Sequence, residues 1–237
     1  MKKITTLVAV ITVTLLCLSG CNSTGTDSKV DSSAPLPSTT IISEDNPELR
    51  FPMVAIGDVI TFGLYEQDAD DANGLEPIKW LVLDINNGQA LIVSCSALDC
   101  QPYNEELTSV TWETCSLRKW LNDSFINTAF NGEEQKRIQT HPNNSVSDKI
   151  FLLSPDEASA FFSSNNDRQC QGTAFCYAQD PRKNSVKPGT PVFWLLRNQN
   201  NTGTIACVDD TGFVKSIGGT VSDDDLAIRP ALWISLN

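Results

Sequence analysis

The stretch Ile78-Lys79-Trp80-Leu81-Val82-Leu83-Asp84-Ile85, followed by Asn86-Asn87-Gly88 and then Gln89-Ala90-Leu91-Ile92-Val93-Ser94-Cys95, decides the fold. Both flanks are apolar and β-branched, which suits strands, and Asn and Gly accept the positive φ of a tight turn, so the stretch reads as a β-hairpin. Just upstream, Val59, Thr61, Gly63 and Tyr65 alternate with Ile60, Phe62 and Leu64, the period of a further strand. A small antiparallel sheet opens the domain.

Downstream the period changes. Leu117, Trp120, Leu121, Phe125, Ile126, Ala129 and Phe130 recur at three- and four-residue intervals, giving two short amphipathic helices or one kinked helix between Thr111 and Phe130. Glu133 to Ile138 adds a turn or two. Lys149 to Leu153 reads as a short strand, and Ser154-Pro155-Asp156-Glu157 as a helix start: Ser caps, Pro suits the first helical position and Glu closes the box. Residues 163–190 are polar with little period and read as a long loop. Val192–Arg197, Thr204–Val208, Phe213–Ile217 and Ile228–Leu236 form a C-terminal β-meander between Asn-, Asp- and Gly-rich turns. The fold class is α+β: a single domain of antiparallel sheets with short helices in the middle, whose terminal strands meet in one sheet.

At the N-terminus, Lys2 and Lys3 precede an apolar run from Leu7 to Leu18 that ends in Leu18-Ser19-Gly20-Cys21. This is the pattern of a lipoprotein signal peptide over residues 1–20, shorter than a membrane-spanning helix, with Cys21 as the thiol that takes the lipid. Residues 21–50 then read as a solvated Ser/Thr/Pro-rich tether and 51–237 as the globular domain. The expected localisation is the extracytoplasmic face of the cell membrane, with the membrane as partner through the lipid. Acidic residues outnumber basic ones 29 to 17 for a net charge of -12, and cleavage, which removes Lys2 and Lys3, takes it to -14. Such an anion is repelled by phosphate backbones, so nucleic acid is not an expected partner.

The segments Glu76–Leu83, Leu98–Asn104, Thr111–Asn122, Asp148–Ser154 and Ile228–Trp233 together resemble an uncharacterised bacterial family, domain of unknown function 6273, common in surface proteins of anaerobic Gram-positive bacteria. The resemblance runs in order from residue 57 to 235. It implies no established activity. It does imply a fold similar to the C-type-lectin-like fold shared with formylglycine-generating enzymes, in which N- and C-terminal strands pair. Where the family usually has Trp-Leu-Arg-Ser, this chain has Trp194-Leu195-Leu196-Arg197-Asn198, an altered register or an inserted residue before the arginine.

Candidate chemistry is sparse. Six cysteines follow Cys21, and in an oxidising compartment they allow fifteen pairings. Cys100 with Cys115 is the expected bridge because it would pin the first helix, and Cys170 with Cys176 is the next; free buried thiols are the alternative. Ser116-Leu117-Arg118-Lys119 matches the serine–lysine pattern of penicillin-interacting enzymes, but Ser147-Asp148-Lys149 and Lys187-Pro188-Gly189-Thr190 do not match the companion motifs. The plainer reading has Leu117, Trp120 and Leu121 facing the core and Ser116, Arg118 and Lys119 facing water. Asp209-Asp210, Asp223-Asp224-Asp225 and the run Asp68 to Gly74 offer hard oxygen ligands for calcium, yet read more simply as solvated turns. His141 reads as a loop residue; no cofactor and no metal are expected. Trp194 and Trp233 are candidates for a sugar-stacking platform, with Arg197 and Arg229 as polar partners, against the alternative of core residues. The function these features support is a non-catalytic module that displays loops between residues 163 and 225 to recognise carbohydrate or protein; the alternatives are an envelope-acting hydrolase and a purely structural surface protein.

Overall fold

The computed structural model describes residues 53–143, 146–180, 187–197 and 202–237. The stretches read as signal peptide and tether, with Cys21, and Asn198 lie outside the described residues. In chain order the strands β1 (Val59–Tyr65), β2 (Glu76–Asn86), β3 (Gln89–Ser94) and β4 (Asp99–Cys100) come first. Then follow α1 (Ser116–Trp120), a wide helical turn at Leu121–Phe125, α2 (Ile126–Ala129) and α3 (Gly132–Arg137). Next are β5 (Ile138–Gln139), β6 (His141–Asn143), β7 (Val146–Asp148), β8 (Ile150–Phe151), α4 (Pro155–Phe161), α5 (Asn165–Arg168) and α6 (Ala174–Gln179). The chain closes with β9 (Trp194–Leu195), β10 (Thr204–Val208), β11 (Val214–Thr220), β12 (Ala227–Ile228) and β13 (Ala231–Ser235). Among the described residues no helix is long and apolar enough to cross a membrane.

The expected hairpin forms as read. Asn86 pairs with Gln89, and Asn87 and Gly88 between them both have positive φ, the two-residue turn whose twist matches the strands. β1 joins β2 through a bulge at Phe62–Gly63. Gly63 has φ +73, and a Cβ there would come within 2.5 Å of the Phe130 ring, so only glycine lets the helices approach this strand. The Gly63 N–H donates to Glu134 Oε1, whose other oxygen accepts from Asn131 N in the capping box of α3. A single carboxylate thus ties the helix start to the bulge.

Six strands form the first sheet, in the order β1-β2-β3-β13-β5 with β8 also on β13, so the opening hairpin pairs with the last strand of the chain. The second sheet is β11-β10-β9-β12-β4, and β6-β7 make a separate ribbon. The core runs continuously through both larger sheets and the helices, with Trp80, Trp112, Trp194, Tyr103 and Phe125 fully buried. The architecture is α+β, as the alternation of strand and helix periods predicts.

Three expectations are corrected. The meander holds only for β9, β10 and β11; the run Ile228–Leu236 breaks at Arg229-Pro230, leaving β12 in the second sheet and β13 in the first. Proline has no N–H for a ladder, which makes it a natural crossover point. The long loop at 163–190 holds two short helices, α5 and α6, begun by Ser164 and Thr173 side-chain caps. Their four and six residues are too few to show a helical period. The helix expected from Thr111 begins at Ser116, because Thr111–Cys115 folds as a turn and the Cys115 thiol accepts from Arg118 N.

Candidate functional site

The two main sheets meet where the chain leaves β3 for β4 and β12 for β13. Ser94 N donates to Pro230 O, Cys95 N to Lys79 O, Ala97 N to Gln171 O and Leu98 N to Ile228 O, so the segment Cys95–Leu98 is a seam stitched on both sides. Beneath it lies Arg229, 3% exposed, its guanidinium between the Phe162 and Trp194 rings at 5.1 and 5.0 Å. Arg229 Nε donates to Ser94 O, and both Arg229 Nη1 and Trp194 Nε1 reach Arg168 O at the end of α5. Arg229 therefore connects β3, the sheet crossover and the α5 excursion.

Arg197 occupies a second buried station. It stacks on Phe151, donates Nη1 to Leu152 O and pairs through Nη2 with both oxygens of Glu157, the residue that also closes the capping box of α4. Trp233 lies in β13, in the other sheet from Trp194 in β9. Of the four candidate ligand residues, the structure brings Trp194 and Arg229 together and leaves Arg197 and Trp233 elsewhere; all four are buried. The Trp194 ring and N–H and the Arg229 and Arg197 guanidinium groups are engaged in holding the fold, with Arg197 Nε left without a hydrogen-bond partner.

Two open depressions lie on the seam and share Cys95 and Ser96. One, of about 360 Å³, is lined also by Asn166, Gln169, Cys170, Gln171 and Pro191. The other, of about 420 Å³, is lined by Gln67, Glu76, Pro77, Lys79 and Leu98. The first presents exposed Asn and Gln side chains from α5 and the segment after it, with Pro191 also in its lining. Amides donate and accept at once, a pattern suited to hydroxyl-rich ligands. Sequence reasoning placed recognition in the loops after residue 163 but had no signal for Ser96 or for these particular amides, since exposed Asn and Gln are common everywhere.

The buried carboxylates are handled differently. Asp148 accepts from Trp112 Nε1 at 2.7 Å and Arg118 Nε at 2.6 Å, so Arg118 reaches inward rather than facing water as expected. Asp99 accepts from Tyr65 Oη at 2.6 Å, Cys100 N and Gln101 Nε2. Burial pushes the Asp99 carboxyl up, and burial with the neighbouring Asp99 charge pushes the Tyr65 phenol up.

No disulfide joins the six described cysteines, neither the expected Cys100–Cys115 bridge nor Cys170–Cys176. The Cys100 thiol is turned to Asp224 O and Leu226 O, while that of Cys115 donates to Trp112 O and caps α1. Burial pushes the Cys115 thiol up to about 11. The acidic turns that offered oxygen ligands for calcium are closed by their own hydrogen bonds. Asp209 accepts from Thr211 and Phe213, Asp223 from Thr220, and Asp68 from Asp70 N and Asn73. Glu66, Asp68 and Glu76 bring one carboxylate oxygen each within 4.8 Å, but Glu66 accepts from Asp70 N and Glu76 from Gln67 N, contacts that fold the loop itself. Ser116 Oγ accepts from Glu105 N at the head of α1, and Lys119 is exposed.

A family model described as domain of unknown function (DUF6273) matches residues 87–236. No curated protein matches the chain, and no solved structure matches it.

Proposed function

The chain belongs to the family of domain of unknown function 6273, and from that premise we propose that it is a membrane-anchored extracytoplasmic lipoprotein whose domain is a non-catalytic recognition module for carbohydrate. One observation carries the reading: the amide-lined depression of Ser96, Asn166, Gln169, Gln171 and Pro191 is open, while the buried arginines and tryptophans are engaged in the scaffold. Neutral amides bind sugar hydroxyls without needing a charged ligand, and a proline ring offers an apolar floor to a pyranose face. Ser116 Oγ, occupied by Glu105 N, favours recognition over hydrolysis. The lipid anchor rests on Leu18-Ser19-Gly20-Cys21, and kinship with the C-type-lectin-like fold rests on the pairing of β3 with β13.

The test is a glycan array with the mature full-length chain, followed by titration of any hit against Gln169→Ala and Gln171→Ala. At least a tenfold weaker Kd in each variant is expected, with the melting temperature unchanged. An array without hits alongside capture of a defined protein would replace carbohydrate with a protein ligand. Labelling of Ser116 by a fluorophosphonate probe, with turnover of any ester or amide, would overturn the non-catalytic reading.

A further inference from the structure

Cys95 and Cys170, more than seventy residues apart in sequence, face each other across the seam. The register there is fixed by a parallel bridge between Ala97 and Gly172, with Ala97 N donating to Gln171 O and Thr173 N to Ala97 O, both at 2.9 Å. Two residues back along both segments, where the chain bends at Cys95–Ser96, lie Cys95 and Cys170. The Cys170 thiol lies 3.6 Å from Cys95 O. A disulfide spans roughly 4.4–6.8 Å between Cα atoms, and a thiol in contact with the other cysteine's own carbonyl is within reach of it. Both residues line the 360 Å³ depression, Cys95 half-buried and Cys170 buried.

We propose that Cys95 and Cys170 are an oxidation site, a dithiol that closes to a disulfide across the seam by exchange with a small disulfide donor. Cys95, the more accessible, attacks first: its sulfur bonds to one donor sulfur and the other leaves as a thiol carrying the proton that Cys95 lost. Cys170 then attacks the Cys95 sulfur of the mixed disulfide, and the second donor thiol leaves with the Cys170 proton. Two protein thiols are oxidised by two electrons and one donor disulfide is reduced to two thiols. Burial raises both cysteine thiols, and the Arg229 charge pulls each only partly back. Of the four other described thiols, Cys176 is turned to Asp99 O, Cys100 to the carbonyls of Asp224 and Leu226 and Cys115 to Trp112 O, while Cys207 lies in β10 against Gly218. Closure would staple the α5–α6 excursion, and with it the Gln169–Gln171 wall of the depression, to the crossover between the sheets. The site stands on this geometry alone and does not depend on the ligand proposed above.

The experiment equilibrates the mature full-length chain with glutathione disulfide, blocks remaining thiols by alkylation and maps non-reduced peptides by mass spectrometry. A peptide pair joining Cys95 to Cys170 is expected, lost in Cys95→Ser and in Cys170→Ser and kept in Cys115→Ser. Reduction should lower the melting temperature of the wild type by about 5–10 °C, because the link closes a long loop of the unfolded chain, and should leave that of Cys95→Ser unmoved. Full alkylation of both residues after oxidation, or pairing of either with a different cysteine in the folded chain, would overturn the proposal.

Discussion

The two main sheets are held together by different means. The first rests on long strands: β2 runs eleven residues, and β3 pairs over its length with β2 on one side and β13 on the other. The second contains three strands of only two residues, β4, β9 and β12. Ladders so short supply few backbone bonds, and at its junction with the first sheet side chains take over. Arg229 reaches Ser94 O, Asp99 collects Tyr65, Cys100 and Gln101, and Arg197 bonds Leu152 O and Glu157. Apolar burial is spread over many residues and tolerates small losses, whereas a buried polar junction concentrates its stability in a few groups that cannot be left unpaired.

That contrast is sharpest at Arg229. Arg229→Ala should cost about 3–5 kcal/mol, because it leaves Ser94 O without its buried donor and opens a gap between Phe162 and Trp194. Urea unfolding would read it, and a loss under about 1 kcal/mol would break the comparison. The first sheet has one point of comparable sensitivity. Gly63→Ala should cost about 2–3 kcal/mol, since the new Cβ meets Phe130 and the backbone is held at positive φ. By comparison Ile92→Val, a methylene removed from the centre of β3, should cost only about 1 kcal/mol.

A smaller effect separates the junction by pH. Asp99 has its carboxyl raised by burial in the folded state, so in the window above the unfolded carboxylate value the native chain holds the extra proton. Its contribution is fully present below that window and is lost as pH rises through the folded value. Asp99→Asn, which keeps an acceptor for Tyr65, should therefore gain stability relative to wild type as pH rises from about 4, read by urea midpoints at successive pH values. A constant difference would sink the assignment. The smallest effect belongs to the exposed pair of Lys136 and Glu133, where Lys136→Ala should change stability by no more than about 0.5 kcal/mol.

The hairpin at Asn86–Gln89 and the helix start at Ser154 were legible because each is a local device: two residues fix a turn, four fix a cap. The Arg118–Asp148 pair was not, since the outward face of a short helix looks solvated until β7 arrives beside it. Nor was the bridging of two sheets by the run Ala227–Ser235, whose apolar residues resume directly after Arg229-Pro230 and so read as one strand. The candidate site was legible only as a region, the loops after residue 163.

The sequence by itself determined the α+β class, the opening hairpin, the helix start at Ser154 and the family to which the chain belongs, all of which follow from residues close together in the chain. Only the tertiary structure decided that Trp194 stacks on Arg229, that Trp233 lies in the other sheet, and that Cys95 meets Cys170 rather than Cys100 meeting Cys115. Those contacts depend on the order in which strands distant in sequence come to lie side by side, and a local period of two or 3.6 carries no information about that order.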